Sequence, residues 1–121
     1  MSRADLAAAR SAISALAQGH RLDRAELAAA VRTVCHLLAQ RYPGGTVELR
    51  VPPFVAVQLG LGDRGRHTRG TPPNVVQTDA LTVLALAGGQ LAWADAVATP
   101  AVRASGVHSD LAALWPVPDL S

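Results

Sequence analysis

Arg64, Arg66, His67 and Arg69 stand within one glycine-rich stretch, Gly60 to Pro73, which reads GLGDRGRHTRGTPP. Arginine presents a planar fork of donors that matches a carboxylate or a phosphate, and Gly65 and Gly70 let backbone N–H groups approach the same anion. At the exit, Thr71-Pro72-Pro73-Asn74 is conformationally restricted, because each proline fixes its own φ and pushes the preceding residue extended. The chemistry this set suggests is the binding of an anionic group, such as a fatty-acid or acyl-phosphate head, or contact with a protein partner. A solvated basic loop, with Arg69 pairing Asp79 or Glu48, is the plainer reading of the same residues. Connections in compact domains usually take about 4–6 residues, and longer ones tend to be functional or disordered. This stretch is therefore where a site is first sought.

Elsewhere the chemistry-bearing residues do not assemble. Cys35 and His36 are adjacent on a helical pattern, so their side chains point about 100° apart and do not form a nucleophile–base pair. His20, His36, His67 and His108 lie in four separate elements with no short chelating spacing. Asp63, the one acid of the loop, sits among arginines that neutralise it. No phosphate-cradling glycine loop, Ser-His-Asp order or carboxylate dyad is present in the sequence. The expectation is a protein that is not an enzyme and uses neither metal nor cofactor.

Composition narrows the partners. Net charge is +2, and all 11 basic residues are arginine. That excess is small and no aromatic accompanies the basic loop for base stacking, so nucleic acid is not expected as a partner. The lysine-free, alanine-rich usage is the mark of a GC-rich bacterial genome. A single cysteine excludes an intrachain disulfide framework. The start, MSRADLAAAR, carries charges where a signal peptide needs an apolar run. The longest uncharged stretch, Ala80 to Ala94, is shorter than the roughly 20 residues that cross a bilayer. A cytoplasmic protein with no membrane span is expected.

The elements that must position the loop follow from periodicity. The chain of 121 residues has room for one domain and one core. With only 3% aromatic residues, that core is built from Ala, Val and Leu. A helical part covers residues 4–42. Leu6, Ala9, Ile13 and Leu16 recur at helical spacing in a first helix stopped by Gly19. Asp23 and Glu26 form a capping box for a second, whose stripe is Leu27, Val31, Val34, Cys35 and Leu38. A sheet with short helices covers residues 46–115. Val47, Leu49 and Val51 alternate with Glu48 and Arg50 as a half-buried strand, and Pro52-Pro53 leads into an antiparallel strand over Phe54 to Leu59. Asn74 to Thr78 makes a third strand. Asp79 caps a helix from Ala80 to Ala87, apolar nearly all round and so expected to be deeply buried. A short uncapped helix runs from about Ala92 to Ala98, a fourth strand from Ala101 to Ser105, and a last helical turn or two from Ser109 to Leu114. Residues 116–121 read as a polar tail. Helices at both ends of a strand cluster define an α+β class.

Asp79 through Leu111 has the order acid, short apolar helix, Gly89, Leu91, alanine-bearing helix, Val102-Arg103 strand, Gly106, Asp-Leu helix. This order resembles the closing segment of sterol-carrier-protein-like domains. VELRVPPF and RHTRGTPPNVVQTD further resemble the small actinobacterial sterol carrier family proteins, over roughly residues 20 to 115. The resemblance implies a small mixed or antiparallel sheet of about four strands covered by helices. In larger relatives it also implies an apolar tunnel that holds lipid. Thr99-Pro100 replaces the glycine expected before the last strand, and the strands are fewer than in the eukaryotic carriers, which leaves less room for a cavity.

Two readings of the apolar residues remain open. Leu84, Leu91, Trp93 and Val97, facing Val55, Val57 and Leu59, either line a cavity for a lipid or amphipathic small molecule or simply fill the core, since interiors normally pack without voids. The anion or partner set is Arg64, Arg66, His67, Arg69, Thr71 and Asn74. The functional expectation is a lipid or small apolar ligand-binding domain; the alternative is an interaction or regulatory module that uses the arginine loop and has no lipid cavity. Sterol-carrier-like domains also accompany thiol-dependent isomerase-type enzymes, whose chemistry lies in a separate metal-binding helical bundle; here neither N-terminal helix supplies a histidine triad.

Overall fold

Reciprocal caps start the first two helices of the computed structural model, which describes residues 1–62 and 74–121. Helix α1 (Arg3–Ala17) begins where the Asp5 amide donates to Ser2 Oγ and the Ser2 amide donates to the Asp5 carboxylate, each at 3.0 Å. Those hydrogen bonds hold the Asp5 carboxyl below its ordinary range. Helix α2 (Arg24–Arg41) begins with the same exchange between Asp23 and Glu26, as the spacing of the two acids requires. Its apolar stripe, with Val31, Val34, Cys35 and Leu38, is buried.

Strands β1 (Val47–Val51) and β2 (Val55–Leu59) pair antiparallel across the Pro52-Pro53 turn. Strand β3 (Val75–Gln77) then lies parallel to β1 on its other side, and β4 (Arg103–Ser105) pairs antiparallel with β3. The sheet order is β2-β1-β3-β4. The parallel β1–β3 pair was not visible in the strand pattern, because period-two alternation is the same for either direction. Val47, Leu49, Val51, Val57, Leu59 and Val76 point to the buried side. On the other side Glu48 and Arg50 form an ion pair along β1.

Helix α3 (Ala80–Gly88) starts on Asp79, whose carboxylate accepts from the Thr82 amide at 2.8 Å, and ends at Gly89 in the left-handed region. Helix α4 (Trp93–Val97) is short and has no side-chain cap. Helix α2 packs on β2 and α3, and α1 packs against α2 and α3. Arg24 lies 5.2 Å from the Phe54 ring centroid, and Arg32 Nε donates to the Phe54 carbonyl at 3.2 Å, so α2 is clasped to the β1–β2 turn.

Three expectations change. Ser109 to Leu114 contributes only a 3-10 turn, Ala112–Leu114, since three residues before Pro116 leave no room for a full helix. Residues 116–121 are not a polar tail: Val117 and Leu120 are each 1% exposed, and the Val117 amide donates to the Ala87 carbonyl at the end of α3. The two apolar residues are buried by a turn whose period is too short to read as a pattern. Helix α3 is not buried all round either. Leu81 is 54% exposed, because the elements packed on α3 do not surround it.

Cys35 is fully buried, and desolvation pushes its thiol from 9.0 up to about 12. The native thiol stays neutral while the unfolded thiol ionises above pH 9. Stability should therefore be full below pH 9 and fall between about pH 9 and 12. A thiol reagent at pH 8 should leave native Cys35 unmodified and label it fully in denaturant; rapid labelling of the folded protein would refute the burial.

Candidate functional site

Helices α1 and α3 meet at one close point and diverge beyond it. A Cβ at Gly88 would lie 2.4 Å from Ile13 Cγ2, so only the absent side chain lets the helices approach there. Past that contact, Ile13, Leu16 and Ala17 of α1 face Leu81, Leu84 and Ala85 of α3 across a groove of about 190 Å³, with Gln90 at one end. Leu84 is buried, Leu16 is half-buried, and exposed Leu81 stands at the mouth. The apolar character of α3 on every face produces the groove: the face not taken by α2 still carries leucines.

A second cleft of about 300 Å³ adjoins the first and shares Ile13, Ala17 and Gln90 with it. Its further lining includes Arg10, Ser14 and Gly88. Arg10 and Ser14 are four residues apart on α1 and so occupy one face. The Arg10 Nε donates to the Asp119 carbonyl at 3.0 Å. The Asp119 carboxylate is engaged by Arg41 instead. Ser14 Oγ accepts from Gln18 Nε2 at 3.0 Å.

The groove between α1 and α2 is larger, about 580 Å³, but has different chemistry. Its walls are largely alanine methyls, with Ala8, Ala12 and Ala15 opposite Ala25, Ala29 and Ala30. Its acids, Asp5 and Glu26, are already engaged in the capping boxes. It offers little side-chain surface to grip a ligand.

The residues singled out from sequence are distributed as follows. Val57 and Leu59, at 9% and 0% exposure, belong to the core beneath the sheet. Val55 is half-buried and lines a shallow cleft beside Pro53 and Phe54. Leu84 lines the α1–α3 groove. Leu91 and Trp93 are half-buried against the core, and Val97 is 42% exposed. These seven side chains do not face one another as a set: α4 turns Val97 outward while β2 sends Val57 and Leu59 inward. Arg64, Arg66, His67, Arg69 and Thr71 lie outside the described residues.

Asn74 is 2% exposed, and both ends of its amide are taken by main chain. Its Nδ2 donates to the Thr46 carbonyl at 2.8 Å, and its Oδ1 accepts from the His108 amide at 3.0 Å. It ties the start of β3 to the start of β1 and to the turn after β4. Among the described residues, no three His, Cys, Asp or Glu side chains group to hold a metal ion, and no helix is long and apolar enough to cross a membrane.

Arg10, Ser14, Leu81, Ala85 and Gln90 were not recognised from the sequence as groove residues. The signal that could have found them is α3 itself. A helix apolar on all faces, in a domain too small to surround it, must leave apolar surface open.

One mixed four-stranded sheet with helices packed on its apolar side places this chain in a small α+β class of sterol-carrier-like architecture. Residues 23–117 match the family described as bacterial SCP ortholog, and the chain belongs to that family. No curated protein matches it. Helix α1, and with it one wall of the groove, precedes the matched residues.

Proposed function

We propose that this chain is a non-enzymatic binding domain for a small apolar or amphipathic molecule. The observation that carries the reading is the α1–α3 groove, with Leu81 left 54% exposed at its mouth on an otherwise buried helix. Membership of a sterol-carrier-like family supports it. Pockets that enclose a drug-sized ligand usually measure about 300–1,000 Å³. At about 190 Å³ the groove fits a segment of a single acyl chain better than a four-ring sterol. Such a ligand would cover leucine surface that now faces water, which is the driving force for its binding.

A fluorescent fatty acid should bind at micromolar concentration, be displaced by unlabelled fatty acid, and lose affinity at least about tenfold in Ala85→Trp, which fills the groove. Failure of any acyl probe to bind, with no lipid retained in a native mass spectrum, would remove the reading. Unchanged affinity in a folded Ala85→Trp protein would place the ligand elsewhere.

A further inference from the structure

We propose that a polar cleft on the open side of the sheet, away from the α1–α3 groove, binds a small zwitterion of the α-amino-acid class. Arg103 holds its carboxylate and Asp79 its ammonium group.

The cleft measures about 310 Å³ and opens at the carboxyl ends of the parallel strands β1 and β3, between Gln77, Asp79 and Arg103. In open sheets with parallel strands, ligands collect at that end. Register and alternation bring the three side chains together. Arg103 pairs directly with Gln77 across the β3–β4 ladder. Asp79 follows Gln77 by two residues on backbone that is still extended, with φ −104 and ψ 166. Both side chains therefore leave the sheet on the same side. Arg103 and Asp79 are diagonal neighbours, a relation that puts their Cα atoms about 7–8 Å apart.

Both charges are present, and neither is spent on the other. Among the described residues the ion pairs are Arg41–Asp119 and Arg50–Glu48, so Arg103 and Asp79 line one cleft without pairing. Arg50, the neighbour of Gln77 on the β1 side, is occupied by Glu48. Asp79 accepts one bond at each oxygen, from the Thr82 amide and the Thr82 hydroxyl, and each oxygen keeps a lone pair. The Gln77 amide and the Arg103 guanidinium enter no hydrogen bond among the described residues, whereas the rest of the lining is committed. Pro52 and Pro100 have no N–H, the Ala101 carbonyl accepts from buried Thr78, and the Ala101 amide donates to Thr99 Oγ1.

Elimination gives the ligand class. A simple anion at Arg103 would face the Asp79 carboxylate across the cleft, and a simple cation at Asp79 would face the guanidinium. A dipolar ion meets attraction at both ends, with the Gln77 amide between them as a further donor to its carboxylate.

The test compares L-alanine with its two halves: propanoate, which lacks the ammonium group, and ethylammonium, which lacks the carboxylate. Binding is followed by NMR shifts of the Gln77 side-chain amide and of Arg103 Nε–H. L-Alanine should bind at least about tenfold more tightly than either half, as one further charge-assisted contact gives. Arg103→Gln should lower L-alanine to the affinity of ethylammonium, and Asp79→Asn should lower it to that of propanoate. Both variants should keep a thermal midpoint near wild type, since Arg103 is exposed on an edge strand and asparagine caps a helix as well as aspartate does. Should Asp79→Asn fail to fold, Arg103→Gln alone decides. Equal affinities for the three compounds, or an undiminished preference in a folded variant, would overturn the assignment. So would an Arg103 Nε–H signal that L-alanine leaves unmoved.

Discussion

Gly60→Ala is expected to destabilise the protein by about 3–5 kcal/mol, one of the largest single-residue effects in the chain. Gly60 is the first residue of the arginine-rich stretch, and it is buried. A Cβ there would lie 2.1 Å from the Pro43 carbonyl oxygen, 2.8 Å from its carbon and 2.9 Å from Gly44 Cα. All three are backbone atoms, so no side-chain rotation relieves the clash. The same crossing carries a hydrogen bond from the Gly60 amide to the Tyr42 carbonyl at 2.7 Å, which fastens the end of β2 to the end of α2. Moving the backbone to admit a methyl would break that bond as well. Gly62→Ala is the control. Gly62 has φ +81 with nothing within 4 Å of its would-be Cβ, so it should cost only the left-handed backbone penalty of about 1–2 kcal/mol. Denaturant unfolding of the two variants checks the contrast, and equal losses would show that the crossing is not rigid.

Asn74→Ala is expected to cost about 2–4 kcal/mol and to lower the thermal midpoint by about 10 °C. The substitution strands the Thr46 carbonyl, whose residue is 1% exposed, and removes the acceptor of the His108 amide. Thr46 is itself a junction, since its hydroxyl accepts from the Leu61 amide at 2.9 Å. Loss of Asn74 thus loosens the start of β1, the start of β3 and the turn after β4 together. Asn74→Asp separates the donor from the shape. The introduced carboxylate still accepts from His108 but faces the Thr46 carbonyl without a proton to donate. Burial beside that carbonyl raises its pKa, so the deficit relative to wild type should be smallest in acid and grow as pH rises through the unfolded carboxylate value near 4. Thermal unfolding of wild type and both variants at pH 4 and pH 7 measures this. A pH-independent deficit for Asn74→Asp would show that the amide is not the bridge.

These two residues bracket the stretch that drew attention first, and they show how far its chemistry was legible. From the sequence, Gly60 is only the first residue of the loop where a site is sought, and Asn74 belongs to its anion or partner set. Gly60 is instead a crossing point of two backbones, and Asn74 is buried with its amide nitrogen and oxygen each bonded to main chain. Neither role has a local signature, because each depends on which distant backbone comes near. Leu81 shows the same limit from the other side. Its helix was recognisable, and its apolarity implied burial, but the open face exists only because α1 covers α3 on one side and diverges past Gly88.

What the sequence alone determined was local: the Asp23–Glu26 cap, the alternation of β1, the Asp79 start and Gly89 stop of α3, the α+β order, and the residues that carry the sterol-carrier family likeness. These rest on contacts within a few residues, which composition and spacing encode directly. Only the tertiary structure decided that β3 runs parallel to β1, that Val117 and Leu120 close the core, and that Leu81 is left exposed beside the α1–α3 groove. Those outcomes depend on packing between elements far apart in the chain, where many arrangements satisfy the same periodicities and excluded volume selects among them.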